Sequence, residues 1–386
     1  MNSTLPTIRE FFRALSIGHV ERRLLLMSFV VGIVVWPVVF ALKELVHLIF
    51  HEVVVWLEHG STQLLIFIPL LIGSAFTAFI AWYRPSFVTY QAGDEEEELN
   101  AVAGDGVERT IALYRSSEAV LEREAIGHEG PIPRLRFPTF GLAARKFLAT
   151  LTTLGGGASG GLEGSAALIG ESMGAGVYSL IERWTGRRGD IRARFEDGVA
   201  DEVRVRFVQT AQIAGVSAAV TVLIGAPLAS AFFATEVMYR DRPLFEKLFY
   251  GLLASLAAYT VTVLAIGDPV LFHIHVVPEP AQGSRYLLYL ILLAVVVTVV
   301  GQLYRVLSNA SNHWFSRRFK NPYARHLAGG VIVGIIALTT LFVMEALGVS
   351  GHVLELVLGS GETAIVAGLD LAEVDELTAW VALIAL

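Results

Sequence analysis

Residues 155–165 read Gly-Gly-Gly-Ala-Ser-Gly-Gly-Leu-Glu-Gly-Ser and lie between two apolar segments. No Gly-Lys-Ser or Gly-Lys-Thr follows, so this is not a Walker-type phosphate loop. Irregular backbone at membrane depth must line a cavity or pack against protein. The next segment is predicted to begin a helix near Gly164 or Ser165. Its first N–H groups are unpaired and its dipole is positive there, so an anion is the natural occupant.

Glu163 lies at this predicted helix start. A carboxylate inside a membrane is costly and is by default a functional candidate. As an anion it can occupy the site itself, and when protonated or displaced it leaves the site to a mobile anion. Two plainer interpretations stay open, namely close packing of helices through the glycines and a structural role for the glutamate.

The composition is that of a membrane protein. Hydrophobic residues make up 54% of the 386 residues and charged residues 17%, against about 25% charged in soluble domains. The mean hydropathy is +0.60. The chain has no cysteine, which excludes disulfides and thiolate chemistry. The net charge is −7, and the sequence has no basic stripe that would suggest nucleic acid. A lipid bilayer is therefore the expected partner.

The apolar segments predict an all-α polytopic membrane protein. Several are shorter than the roughly 20 residues of a full crossing, which is typical of helices that stop inside the membrane around a site. The predicted spans are Leu24–Val46, Leu64–Tyr83, Gly141–Gly155, Ser165–Trp184, Phe207–Ile224, Ala226–Met238, Leu248–Ile266, Tyr286–Leu307 and Leu327–Leu347, with a last apolar start at Leu377–Leu386.

The distribution of lysine and arginine predicts the orientation. Residues 1–23 carry four arginines, whereas His51–Gln63 and Gly267–Gly283 carry neither Lys nor Arg. The positive-inside rule therefore places residues 1–23 in the cytoplasm, followed by a transmembrane domain over 24–386. A polar insertion at about 85–140 lies on the same side. It contains the acidic run Asp94–Glu98, read either as a solvated loop or as a proton or cation antenna.

Two stretches carry a family resemblance. Residues 146–170, KFLATLTTLGGGASGGLEGSAALIG, resemble the Gly-Lys/Arg-Glu-Gly-Pro signature of the CLC chloride channel and transporter family. Gly161, Glu163 and Gly164 match, whereas Leu162 replaces the basic residue and Ser165 the proline. Residues 215–238, GVSAAVTVLIGAPLASAFFATEVM, are similar to the family's later Asn-Ala-Pro-Leu-Ala stretch.

The resemblance implies an inverted-repeat bundle of tilted and re-entrant helices, forming a homodimer with one anion pathway per subunit. Glu163 would be the gating glutamate, and the backbone of Gly161, Leu162, Gly164 and Ser165 would bind the anion. Proton-coupled members carry a second glutamate at the position of Val237. Valine cannot carry a proton, which favours passive conduction. Glu236 keeps the neighbouring acidic position, with a structural role as its alternative.

The chain departs from the family in two places. The inner Gly-Ser-Gly-Ile-Pro motif has Gly104-Asp105-Gly106-Val107-Glu108 as its counterpart. A carboxylate at Asp105 would repel an anion unless it is protonated or turned away, and its alternative role is a helix N-cap. The chain also ends at Leu386, so the second repeat is expected to be incomplete. The Gly359-Ser360-Gly361 turn is not expected to replace the missing part.

No nucleophile–base pair or metal cluster is evident, and we expect neither an enzyme nor a cofactor. His47 and His51 share a helix face beside Glu52 as a possible metal pair, but two or three ligands barely reach the usual three or four, so an interfacial role is favoured. The leading hypothesis is channel-like permeation of chloride or another small anion, gated by Glu163, in the plasma membrane. The alternatives are a proton-coupled chloride antiporter and a non-conducting, truncated family member.

Overall fold

The structure is a computed structural model that describes residues 19–58, 63–83, 85–92, 95–114, 140–184, 197–238, 245–267, 284–346, 353–362 and 365. Helices dominate these residues. They are α1 (His19–Glu58), α2 (Phe67–Trp82, preceded by the 3₁₀ turn Gln63–Ile66), α3 (residues 107–114), α4 (Phe140–Gly155), α5 (Glu163–Trp184), α6 (Asp197–Ile224), α7 (Pro227–Met238), α8 (Phe245–Ile266), α9 (Ser284–Arg318), α10 (Pro322–Ala346) and α11 (Val353–Val357).

Six helical segments are long and apolar enough to cross a membrane. They are Val20–Val53, Gln63–Trp82, Val205–Ile224, Glu246–Ile266, Leu287–Arg318 and Pro322–Ala346. The predicted helical membrane fold is therefore confirmed, and the chain is an integral membrane protein. The predicted segment Leu377–Leu386 lies outside the described residues.

Every other predicted span also coincides with a helix, although α4, α5 and α7 fall short of a full apolar crossing. α4 has 16 residues and α7 has 12, and a helix rises about 1.5 Å per residue. α5 has 22 residues, but glycine, serine and glutamate occupy much of its first half. Such helices need protein rather than lipid around them, and residues 164–178 of α5 are buried without exception.

The chain divides into two compact units. The first comprises Met1–Leu45, Pro85–Thr150 and Gly161–Leu271, and the second comprises Val46–Arg84, Leu151–Gly160 and Phe272–Leu386. In the first unit α6 packs against α5, α7 and α8, and α7 packs against α8. In the second unit α10 packs against α2 and α11 around a cluster of buried apolar side chains that includes Leu70, Leu338 and Leu354.

Small residues bring α5 and α6 into backbone contact. A Cβ atom added to Gly215 would collide with the Gly170 carbonyl oxygen, and one added to Gly174 would collide with the Ala211 carbonyl oxygen. Glycine has no side chain to hold the backbones apart, so the two helices approach closely. This contact holds the helix that begins at Glu163 against a neighbour whose residues 208–223 are all buried.

The acidic run forms part of a β-hairpin rather than a loop. Strand β1 (Phe87–Ala92) pairs antiparallel with β2 (Glu95–Asn100), and Val88 lies opposite Leu99. Residues 95–98 are therefore strand rather than loop, because the β-branched and aromatic residues of β1 supply a partner strand, and the solvation of this run stays a prediction. The antenna hypothesis for this run stays a prediction.

Candidate functional site

The N-terminal end of α5 presents unpaired backbone donors. The first backbone hydrogen bond at this end runs from the Ala166 N–H to the Leu162 carbonyl at 2.8 Å. The N–H groups of Glu163, Gly164 and Ser165 therefore have no acceptor within the helix. The helix starts one residue earlier than Gly164, and Leu162 is its buried N-cap residue. These groups suit an anion because the helix dipole is positive at this end.

Glu163 occupies the first helical position. Its side chain is exposed, and its Oε2 atom lies directly against the backbone of Gly161, where any added Cβ atom would collide with it. Gly161 thus leaves room for the carboxylate to fold back along the chain. A negative charge in the first turn of a helix is favourable, because the helix dipole is positive at this end.

Asp105 caps the short helix α3. Its Oδ1 atom accepts hydrogen bonds from the N–H groups of Gly106 at 2.5 Å and Val107 at 3.2 Å. The turn depends on Gly104 and Gly106, whose φ angles are +80° and +123°. Both angles favour glycine. The carboxylate is therefore turned toward the α3 N-terminus, although Gly106 holds the N-cap position and Asp105 lies one residue before it.

The α5 N-terminus and the Asp105 loop are in direct contact. The Ser165 hydroxyl donates a hydrogen bond to the Asp105 carbonyl oxygen at 3.1 Å. A Cβ atom added to Gly164 would lie 3.1 Å from Val107 Cγ2 and 3.2 Å from Asp105 Cβ. Both helices point their positive ends toward this contact. Two of the predicted site segments are therefore brought together, although 60 residues separate Asp105 from Ser165 in the chain.

Lys146 is a component that the sequence interpretation missed. Its ammonium group donates hydrogen bonds to the carbonyl oxygens of Val102 at 3.3 Å and Gly104 at 2.5 Å. The side chain is only 3% exposed. A buried cation next to the Asp105 loop offsets the negative charge of that carboxylate and favours an anion nearby. The feature of the sequence that could have indicated this residue is a single lysine at the start of the otherwise uncharged segment 146–154.

Glu236 is not joined to the other site residues. It is exposed near the C-terminal end of α7, and among the described residues no hydrogen bond or ion pair links it to Glu163 or Asp105. Val237 follows it, at the position where the resemblance implies a glutamate in proton-coupled members. Glu236 therefore stays a separate candidate.

The glycines of residues 155–170 divide into groups with different roles. In the second unit, Gly156 packs against Gly73 and Pro69, and Gly157 makes a turn with a φ angle of +94°. The Gly160 N–H donates to the Gly359 carbonyl at 3.0 Å in the same unit. In the first unit Gly161 accommodates the Glu163 carboxylate. Packing and site formation thus both account for the glycine content.

The described part of the chain holds no candidate metal cluster. No group of three His, Asp or Glu side chains is placed there to hold a metal ion. His47 and His51 are stacked, with ring centroids 6.2 Å apart, and both are exposed.

Apolar helices, several of them short, and two helix N-termini that meet at the Ser165–Asp105 hydrogen bond define a helical membrane protein. The family model described as voltage gated chloride channel matches residues 116–385, and the chain belongs to this family. This confirms the resemblance, and membership places the chain among anion transport proteins. No protein of curated function matched the sequence.

Two solved structures share the fold. A structure described as a CLC-type fluoride/proton antiporter is 18% identical to this chain, with a TM-score of 0.56. The matched region covers 99% of this chain and 77% of that chain. A slow cyanobacterial Cl−/H+ antiporter is 16% identical with a TM-score of 0.61, covering 94% of this chain and 71% of its own. At these identities the likeness concerns the fold alone.

Proposed function

We propose that this chain lets chloride, or a similar small anion, cross a membrane along a pathway gated by Glu163. The observation that carries the proposal is the Glu163 carboxylate folded against Gly161, next to the free N–H groups at the start of α5. A mobile anion and this carboxylate would compete for the same positive helix end.

The surroundings support an anion rather than a cation. Two helix N-termini meet at the Ser165–Asp105 hydrogen bond, and each contributes a partial positive charge. Lys146 adds a full positive charge next to the Asp105 loop. The Asp105 carboxylate is engaged by two backbone N–H groups, which reduces its repulsion of an anion.

In this proposal, gating requires the movement of one side chain. Glu163 is exposed and the backbone at Gly161 is accessible, so rotation of the glutamate suffices to uncover the N–H groups. Protonation would achieve the same result by removing the charge that holds the carboxylate there. A plasma-membrane location, a cytoplasmic N-terminus and a homodimer also belong to this proposal. The positive-inside pattern supports the orientation, and the usual assembly of the family supports the homodimer.

A flux assay tests the proposal. Purified protein is placed in liposomes loaded with potassium chloride, and external chloride is followed with an electrode after valinomycin is added. We expect chloride efflux that depends on the protein, with nitrate and fluoride tested in parallel to define the selectivity. Absence of all three fluxes from folded protein would favour the non-conducting alternative.

Proton-coupled antiport is a second candidate, favoured by the two structurally similar proteins, which are both described as proton antiporters. Valine at position 237 argues for passive conduction instead. The two candidates differ in one readout. A chloride gradient drives protons uphill through an antiporter but not through a channel, so external pH recorded during chloride movement decides between them.

A further inference from the structure

A second carboxylate lies within the buried part of α5. Glu171 is fully buried, with an exposed fraction of 0%, two helical turns after Glu163. Its Oε1 atom accepts a hydrogen bond from Gln212 Nε2 at 2.5 Å, and its Oε2 atom accepts one from the Ser172 hydroxyl at 3.1 Å. Neither the function proposed above nor the family comparison uses this residue.

The two partners of Glu171 are uncharged. Gln212 is itself fully buried, and its Oε1 atom has no hydrogen-bond partner among the described residues, so its side-chain amide serves the glutamate alone. The described part of the chain places no cation in an ion pair with Glu171. A buried charge without a partner is costly, and a proton is the remaining way to neutralise it.

In the described part of the chain, no charged group on the helices around Glu171 forms a hydrogen bond or an ion pair with it. Lys146 on α4 binds the carbonyls of the Asp105 loop, and Lys247 on α8 binds Tyr114 on α3 and Gln209 on α6. The remaining Asp, Glu, Lys and Arg residues on these helices and on α7 are Asp197, Asp201, Glu202, Arg204 and Arg206 on α6, Glu108 and Arg109 on α3, Arg145 on α4, Glu236 on α7, Glu246 on α8, and Glu163, Glu182 and Arg183 on α5 itself.

The site has hydrogen-bond partners for both protonation states. In the ionised state Gln212 and Ser172 donate to the two carboxylate oxygens. When a proton binds Oε2, the Gln212 amide still donates to Oε1, and the new O–H can donate to Ser172 Oγ because a hydroxyl both donates and accepts.

We propose that Glu171, with Gln212 and Ser172, is a proton-binding site that controls the anion affinity of the α5 N-terminus. Eight residues separate Glu171 from Glu163, which is about 12 Å along the helix axis. At an effective dielectric constant of about 20, a full charge at that distance changes anion affinity roughly tenfold. Binding of a proton therefore strengthens anion binding, an effect that rests on the anion site proposed above.

The test removes the gate so that its own protonation does not interfere. In Glu163→Gln protein we expect the chloride concentration that half-saturates flux to fall as pH is lowered. In Glu163→Gln/Glu171→Gln this concentration is low at every pH, about tenfold below the single variant at high pH. Glu163→Gln/Glu182→Gln is the matched control on the same helix and keeps the pH dependence.

Two further measurements keep the outcome decisive. Gln212→Leu removes the donor that favours the ionised state, so the affinity transition moves to higher pH. Infrared difference spectra on acidification show a protonated-carboxyl band that is lost in Glu171→Gln and kept in Glu182→Gln, and this readout needs no conduction. An unchanged band and pH profile in Glu171→Gln would overturn the proposal, whereas a lost band without any flux would count only against anion transport.

Discussion

The hydroxyl of Ser165 donates a hydrogen bond to the carbonyl oxygen of Asp105 at 3.1 Å, and this contact joins the start of α5 to the loop that precedes α3. Each helix brings a positive dipole end to the contact, and the first N–H groups of α5 have no acceptor within the helix, whereas those of Gly106 and Val107 are bonded to Asp105 Oδ1. A small anion placed here would meet donors from α5, with Lys146 close by. The predictions below follow from this arrangement.

The charge of Asp105 opposes anion binding, whereas its capping role stabilises α3. Asp105→Asn keeps an acceptor for the Val107 N–H and removes the charge, so we expect chloride affinity to rise about threefold to tenfold. Asp105→Ala also removes the cap and should cost about 1 kcal/mol of stability. Isothermal titration with chloride and thermal unfolding in detergent measure the two effects. Equal chloride affinity in all three proteins would contradict the electrostatic assignment.

The Lys146 cation is expected to support the anion. Lys146→Met removes the charge and the donor to the Val102 and Gly104 carbonyls, so chloride affinity should fall by about tenfold. Lys146→Arg retains the charge and should lose less. The same titration checks both variants. If the methionine variant bound chloride with the same affinity as the parent protein, the role of Lys146 would be limited to its hydrogen bonds with the Val102 and Gly104 carbonyls.

Gly161 controls where the Glu163 carboxylate can lie. In Gly161→Ala the new methyl group takes the position of Glu163 Oε2, so the flexible side chain has to move away. We expect a higher anion flux at neutral pH, approaching that of Glu163→Gln. Gly160→Ala is the control, because its methyl group meets only Leu154 Cδ2 at 3.4 Å. Equal flux in the two alanine variants would mean that the contact with Gly161 does not restrain the gate.

The close approach of α5 and α6 requires Gly215. In Gly215→Ala the added methyl group overlaps the Gly170 carbonyl oxygen, a backbone atom that cannot rotate away. Separating the helices should cost about 1–3 kcal/mol, as overpacking does in other cores. Thermal unfolding in detergent measures the loss. Gly301→Ala on α9, which has no atom within 4 Å of the new methyl group, should leave the unfolding temperature unchanged or higher.

Hydropathy located the helices more reliably than it located their ends. The first span was expected at Leu24–Val46, but α1 runs from His19 to Glu58, because the mostly polar residues 19–23 and the mostly apolar residues 47–58 both continue the helix. The strand β2 was missed for a different reason. Consecutive glutamates disfavour a strand locally, and only the pairing with residues 87–92 produces it.

The parts of the site that could be predicted are those whose chemistry is visible locally. Glu163 and Asp105 both lie among glycines, where a break in the helical pattern exposes backbone N–H groups. Lys146 and Glu171 could not be interpreted in this way. Their partners Gly104 and Gln212 lie 42 and 41 residues away, and only the packing of the helices brings them together.

The central claim is that Glu163 gates the anion pathway, and chloride flux through Glu163 variants in liposomes tests it most directly. Glu163→Gln removes the charge at nearly constant shape, and Glu163→Ala removes the side chain that lies against Gly161. Glu182→Gln, on the same helix, is the control. The gating account predicts that both Glu163 variants change chloride flux and reduce its dependence on pH, while the control conducts like the parent protein. Flux that is the same in all four proteins would contradict it.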